Sequence, residues 1–175
     1  EAARIDELLE SHLGQLRPRP FDIAACDLLM VLDDTFSLLR PNLLKNHVQV
    51  TSSVAPDLPA IDVSRAHILQ VCLNIAMNAI DAMPNCGNLT VTIVPDTRRL
   101  PGVVMRFADS GKGISGKDLK RIYEPFFTNG KAKGVGLGLP ITRDLVERHH
   151  GQLIIESPPG SGAVVDVWLP VKHEA

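Results

Sequence analysis

The 175-residue chain lacks an excess of either charge: 18 Lys and Arg stand against 20 Asp and Glu, for a net charge of -2. That removes the electrostatic footprint of a nucleic-acid-binding surface. It has no apolar run near the roughly 20 residues of a membrane span, and nothing in it resembles a signal peptide. No direct contact with nucleic acid or membrane is therefore expected. Cysteine is scarce: Cys26, Cys72 and Cys86 form neither CxxC nor any metal-ligand spacing. Three scattered thiols predict a reduced, cytoplasmic setting, whether the parent protein is membrane-anchored or soluble. What is present is ordinary for a globular chain, with 22% charged and 45% hydrophobic residues, enough for one compact domain and a short appendage.

From Glu1 to Leu16 the apolar residues Ile5, Leu8, Leu9, Leu13 and Leu16 recur at three- and four-residue steps. This predicts a one-sided helix with no nearby partner in the sequence, and the start at Glu1 without Met suggests a piece of a longer protein. Residues 17–21, RPRPF, break the pattern and mark a domain boundary. Asp22 is a candidate cap for a following helix that carries Leu28, Leu29, Val31, Leu32, Phe36, Leu38 and Leu39 and is expected to stop around Pro41. Val48–Val54 reads as a strand, Ser64 as the cap of a long helix through Met83, and PNCGN at 84–88 as a hairpin signal. Strands are expected at 89–94 and 103–108.

Three stretches carry chemistry. In GVGLGL, Gly134, Gly136 and Gly138 alternate with Val135, Leu137 and Leu139 and open a helix-like PITRDLVERHH. Alternating glycines let a backbone approach a bound group, and a helix start offers N–H donors to phosphate; a mobile loop ending in a helix cap gives the same pattern. Asn74, Asn78 and Asp81 stand at i, i+4 and i+7, one polar stripe on an otherwise apolar helix. Such amides either cap loops and face water or supply hard oxygen ligands to a Mg²⁺–phosphate site. Asp109, at a strand end before Gly111 and Gly113, suits acceptance from an exocyclic amine, which adenine has and guanine replaces by a carbonyl; an acidic loop cap is the other reading.

Taken in order, NIAMNAIDAMP, DSGKGIS, YEPFFTNGK and GVGLGL closely resemble the nucleotide-binding domain of bacterial sensor histidine kinases. The wider superfamily includes type II topoisomerases, heat-shock protein 90 chaperones and mismatch-repair ATPases. YEPFF points to the kinases, and the wording is most similar to the nitrogen-regulation type. The resemblance implies a Bergerat-type α/β two-layer sandwich: a mixed, mainly antiparallel sheet with helices at about 24–40, 64–83 and 138–150 on one face. Residues 1–16 resemble the tail of the dimerisation and phosphoacceptor hairpin, 17–21 its linker, 22–171 the ATP-binding catalytic domain and 172–175 a terminal tail.

Carried over residue by residue, the resemblance implies ATP and Mg²⁺ as cofactors, with Asn78 on the metal and Asn74 beside the phosphates. Asp81 and Ile114 fall within the same motifs. Asp109 would bond the adenine amine over a floor shaped by Gly111 and Gly113. Tyr123, Phe126 and Phe127 would front a lid whose rear is Gly134 to Leu139, with Phe126 and Phe127 alternatively plain core residues. Lys131 and Lys133 on the lid would neutralise phosphate charge or simply be solvated. The lid reads TNGKAKG, one residue longer than TTKxxG, and His150 replaces a glycine, which could strain its turn. The implied reaction is transfer of the ATP γ-phosphoryl group to a histidine on a helix outside this chain, with Asn74, Asn78 and Lys131 in catalytic roles. Implied partners are ATP and ADP, the protein's own dimerisation helices in a homodimer, and a response-regulator receiver domain. Asn74 stands where hydrolysing relatives carry a glutamate base, so slow hydrolysis is expected. The alternative is a nucleotide-dependent switch or ATPase of the same superfamily without histidine phosphorylation. The six histidines are read as surface or structural.

Overall fold

A computed structural model describes residues 22–96, 101–128, 136–158 and 160–171. The expected N-terminal helix, the RPRPF linker and the C-terminal tail lie outside them. The order is β1 (Ala24–Cys26), α1 (Leu28–Lys45), β2 (Val48–Val54), β3 (Ile61–Val63), α2 (Arg65–Ala82), β4 (Gly87–Asp96), β5 (Gly102–Asp109), α3 (Gly116–Leu119), α4 (Gly138–Arg148), β6 (Gln152–Glu156) and β7 (Val164–Pro170). β1 and β3 form a small antiparallel pair; the main sheet has the order β2-β4-β5-β7-β6. Among the described strands only β2 and β4 run parallel, so the sheet is mixed and mainly antiparallel, as expected.

Strand alternation places Leu89, Val91 and Ile93 of β4, Val103, Met105 and Phe107 of β5, and Val167 and Leu169 of β7 in the core. Against that face lie α1, α2 and α4, with α2 packed between the other two. The central helix buries Ile68, Val71, Cys72, Ile75, Ala76, Ala79 and Ile80, and each larger apolar side chain contributes about 1.5–3 kcal/mol. On the outer side of the sheet Arg106 makes a bidentate pair with Asp166 at 2.7 and 2.6 Å, among apolar residues that include exposed Val94 and Ile154. No helix among the described residues is long and apolar enough to cross a membrane.

Four local expectations are corrected. α1 is capped by Asp27, whose carboxylate accepts from Leu29 N–H at 2.9 Å, and not by Asp22. It passes through Pro41 to Lys45, because Leu39 and Leu43 continue the buried stripe across the proline and their burial offsets the missing backbone bond. Ser64 occupies the α2 cap position but makes no side-chain capping bond; its N–H instead donates to His149 Nε2 at 3.0 Å. PNCGN joins α2 to β4 and is no hairpin, because β4's earlier neighbour β2 runs parallel to it and needs a crossover.

Fully buried His149 also places Nδ1 2.7 Å from Leu145 O. With Nε2 accepting from Ser64, Nδ1 carries the proton, and the neutral ring ties the end of α4 to the start of α2. His67 lies edge-on to it, with ring centroids 5.7 Å apart. His150 adopts φ 55, so the residue replacing a glycine does hold the left-handed turn that glycine takes most easily.

Candidate functional site

Both β5 and α2 end beneath the β6–β7 loop, and this junction holds Asp109. Its Oδ1 accepts from Gly111 N–H at 2.8 Å and Ala163 N–H at 3.3 Å, and among the described residues Oδ2 accepts no hydrogen bond. Burial pushes the carboxyl above its ordinary range, and the two backbone bonds oppose that shift. Close approach explains the surrounding glycines. A Cβ on Gly111 would meet Ala82 at 2.8 Å, and one on Gly162, at φ +75, would lie 1.8 Å from Asp109 O. Gly113, at φ +72, faces Ser157, whose hydroxyl donates to Gly162 O at 2.8 Å and accepts from Ile114 N at 2.6 Å.

From this pocket a cavity of about 620 Å³ runs across the outer stripe of α2. It is lined by Asn74, Asn78, Asp81, Asp109, Gly113, Ile114, Phe127, Gly136, Leu137, Gly138 and Leu139 among the expected residues. Phe107, Ile122, Ile155 and Val165 supply apolar wall. Gly111, Tyr123 and Phe126 lie off that lining. Lys131, Lys133, Gly134 and Val135 fall outside the described residues.

The start of α4 abuts the asparagine stripe. Asn74 Nδ2 donates to Gly138 O at 3.3 Å and to Thr142 Oγ1 at 3.2 Å, while the Thr142 hydroxyl donates to Gly138 O at 2.8 Å. The amide nitrogen therefore faces α4 and the amide oxygen is turned away from it. Leu137, at the cap position, makes no side-chain capping bond, so among the described residues the N–H groups of Gly138 and Leu139 remain donors at the positive helix end. Pro140 falls in the first turn, where its missing N–H costs little.

Gly136 is required by geometry: it has φ +70, and a Cβ there would lie 2.6 Å from the Phe126 carbonyl carbon. Phe126 N–H donates to Gly136 O at 3.1 Å, so residues 126 and 136 are clasped. At Gly138 a Cβ would meet nothing nearer than Asn78 Nδ2 at 3.9 Å, an ordinary contact. Phe126 is 71% exposed at φ 66 and so is no core residue, whereas half-buried Phe127 lies under the Arg121 guanidinium at 4.5 Å. Tyr123 packs beneath Arg143 at 5.0 Å; burial raises its phenol pKa and Arg143 opposes the shift.

Sequence reasoning missed two parts of the wall. Asn42, Lys45 and Asn46 reach the cavity from the last turn of α1, which had been expected to end before them. The loop with Ser157, Gly162 and Ala163 backs Asp109, and only the glycines of SPPGSGA hinted at a tight approach.

The site thus joins an open mixed sheet, an apolar pocket ended by a carboxylate and a helix start beside two carboxamides. Residues 63–173 match the model of the histidine kinase-, DNA gyrase B-, and HSP90-like ATPases, and the chain belongs to that family. It is 33% identical to sporulation kinase E of Bacillus subtilis (strain 168), across all of this chain and 23% of that protein. It is 32% identical to the sensor histidine kinase ZraS of Escherichia coli (strain K12), across 98% of this chain and 36% of ZraS. The chain thus spans well under two thirds of either relative. Among solved structures, the nucleotide-free catalytic domain of histidine kinase ThkA superposes with TM-score 0.74 at 26% identity, covering 85% of this chain and 95% of that one. Full-length ShkA in complex with AMPPNP gives TM-score 0.74 at 25% identity, covering 87% of this chain and 32% of that one. Within the family the chain is a catalytic domain of the histidine kinase type.

Proposed function

We propose that this chain binds Mg-ATP in the cavity across α2 and delivers the γ-phosphoryl group to a histidine on a helix of the parent protein. The observation that carries the reading is the arrangement at the two ends of one cavity. A half-buried carboxylate, with one oxygen held by backbone N–H groups and the other without a hydrogen bond among the described residues, stands at the apolar end. A bare helix start beside Asn74 and Asn78 stands at the other. The AMPPNP carried by ShkA supports the same ligand class here.

Asp109 Oδ2 accepts from the adenine amine, and Gly113 and Ile114 border the base. The N–H groups of Gly138 and Leu139 meet phosphate oxygens, with Lys131 and Lys133 as further cations. Asn78 is the protein ligand for Mg²⁺. The donor chemistry fits: the stripe offers carboxamide oxygens, hard ligands suited to a cation that takes most of its shell from phosphates and water. Asn74, with its nitrogen turned to Gly138 O and Thr142, also presents oxygen. When bound, Mg²⁺ screens the phosphates and draws charge from the leaving oxygen. The chain's own part is positioning and charge compensation, which is most of what phosphoryl transfer asks of a protein. Asn74 is no base, so water is a poor nucleophile here and an imidazole brings its own lone pair.

In this reading residues 1–16 belong to the dimerisation hairpin of a homodimeric parent, 17–21 form the linker, 22–171 the ATP-binding domain and 172–175 a tail. A receiver domain of a response regulator accepts the phosphoryl group in the cytoplasm. The parent protein incubated with ATP labelled in the γ-phosphate should acquire an acid-labile, base-stable phosphate on histidine. Label released only as free phosphate, with no phosphohistidine, would favour the ATPase reading.

A further inference from the structure

We propose that Lys45, the last residue of α1, is a phosphate-binding residue for the nucleotide in this cavity, an inference that rests on the nucleotide reading above. α2 lies between α1 and α4, yet the cavity is lined from both flanks: by Asn42, Lys45 and Asn46 on one side and by the start of α4 on the other. It therefore crosses the stripe of Asn74, Asn78 and Asp81, and a polyphosphate lying on that stripe is within reach of α1.

Charge makes the same point. The described lining carries three carboxylates, Asp81, Asp109 and Asp118, against two ammonium groups, Lys45 and Lys112. A nucleotide polyphosphate adds several negative charges to that excess. Lys112 belongs to the base end, where its N–H donates to Ala82 O at 3.3 Å between the two glycines that follow Asp109. Lys45 enters from a separate helix, and among the described residues its ammonium has no ion-pair or hydrogen-bond partner. By contrast Arg65, Arg106, Arg121, Arg143 and Arg148 are all held by carboxylates.

Its support is rigid. Asn46 donates to Asn42 O through both its N–H at 3.1 Å and its Nδ2 at 2.9 Å, which closes the last turn of α1 around Lys45. Lys45 is thus offered by a helix end whose last turn is closed by hydrogen bonds.

The test is calorimetric titration of wild type, Lys45→Met and Lys45→Arg with adenosine, AMP, ADP and AMPPNP in Mg²⁺ at low and moderate salt. A charge-assisted contact at a solvent-facing cavity edge predicts that Lys45→Met weakens ADP and AMPPNP by roughly 3- to 10-fold. Adenosine affinity and the apo melting temperature should hold, Lys45→Arg should recover most of the loss, and salt should shrink the difference. The step in the AMP, ADP and AMPPNP series at which the loss first appears identifies the phosphate contacted. Equal ADP and AMPPNP affinities in Lys45→Met and wild type would overturn the proposal. So would an equal loss of adenosine, or a lower apo melting temperature that accounts for the change and marks Lys45 as only a partner of the helix end. Wild type that binds adenosine and no nucleotide more tightly also overturns it. Wild type that binds none of the four overturns the nucleotide reading itself.

Discussion

Replacing Asp109 by Asn separates recognition of the base from support of the fold. Oδ1 holds Gly111 N–H at 2.8 Å and Ala163 N–H at 3.3 Å, and an asparagine oxygen can accept both bonds in the same geometry. The turn should therefore survive, at a cost of no more than about 1 kcal/mol from the lost charge on those acceptors. The amide NH₂ then occupies the Oδ2 position and faces the adenine amine, donor against donor. Losing a charge-assisted hydrogen bond of about 1.5–3 kcal/mol corresponds to roughly 10- to 150-fold in affinity. A base with a carbonyl at that position gains what adenine loses, so inosine diphosphate should bind the variant better than it binds wild type. The assay is titration of both proteins with ADP and IDP beside urea unfolding of the apo forms. Unchanged ADP affinity, or a large apo destabilisation that accounts for the binding loss, would refute the reasoning. The sign of the pH effect follows from burial, which holds the Asp109 carboxyl above its ordinary value of 3.8. The stability tied to its protonated form is complete below 3.8 and is lost as pH rises through the raised folded value. Wild type should therefore gain on Asp109→Asn as pH falls through that window, while its affinity for adenine, which needs the carboxylate, declines.

Asn78→Ala should remove the Mg²⁺-dependent part of ADP affinity and leave the affinity in EDTA intact; a loss shared by both conditions would assign the side chain a structural role. Gly136→Ala adds a Cβ 2.6–2.8 Å from the backbone of Phe126 and Phe127 at φ +70. It should cost about 1–3 kcal/mol in urea unfolding and weaken nucleotide binding with it, whereas full stability would contradict the clasp between 126 and 136. Thiol reactivity should separate the cysteines: exposed Cys86 reacts at once with a disulfide reagent at pH 8, half-buried Cys26 slowly, and Cys72 only on unfolding, since burial pushes its thiol up to about 12. Fast reaction of Cys72 in the native protein would mean that α2 is not buried as described.

Local periodicity made much of the fold legible. Alternation in LTVTIV and the apolar-rich run VVMRFA predicted β4 and β5 closely, and the apolar run around 68–80 predicted α2 with its polar stripe. Glycine spacing pointed to the bare start of α4 and the turn after Asp109. Effects that depend on partners distant in sequence stayed hidden. Nothing local to Pro41 announces that Leu43 will be buried, and the sequence has Ser64 and His149 too far apart to suggest that one caps through the other's ring. The β6–β7 loop reads as an ordinary turn until Gly162 is found against Asp109 O. Likewise Lys45 looks like a solvated helix end until α1 and α2 are seen to finish at the same cavity.

The most direct test of the nucleotide site is calorimetric titration of this chain with ADP and AMPPNP, in Mg²⁺ and in EDTA, with GTP as the control. The account predicts saturable adenine binding, stronger in Mg²⁺ and absent with GTP at the same concentrations. Equal binding of GTP would contradict the role of Asp109, and no binding of ADP or AMPPNP would contradict the assignment of the cavity.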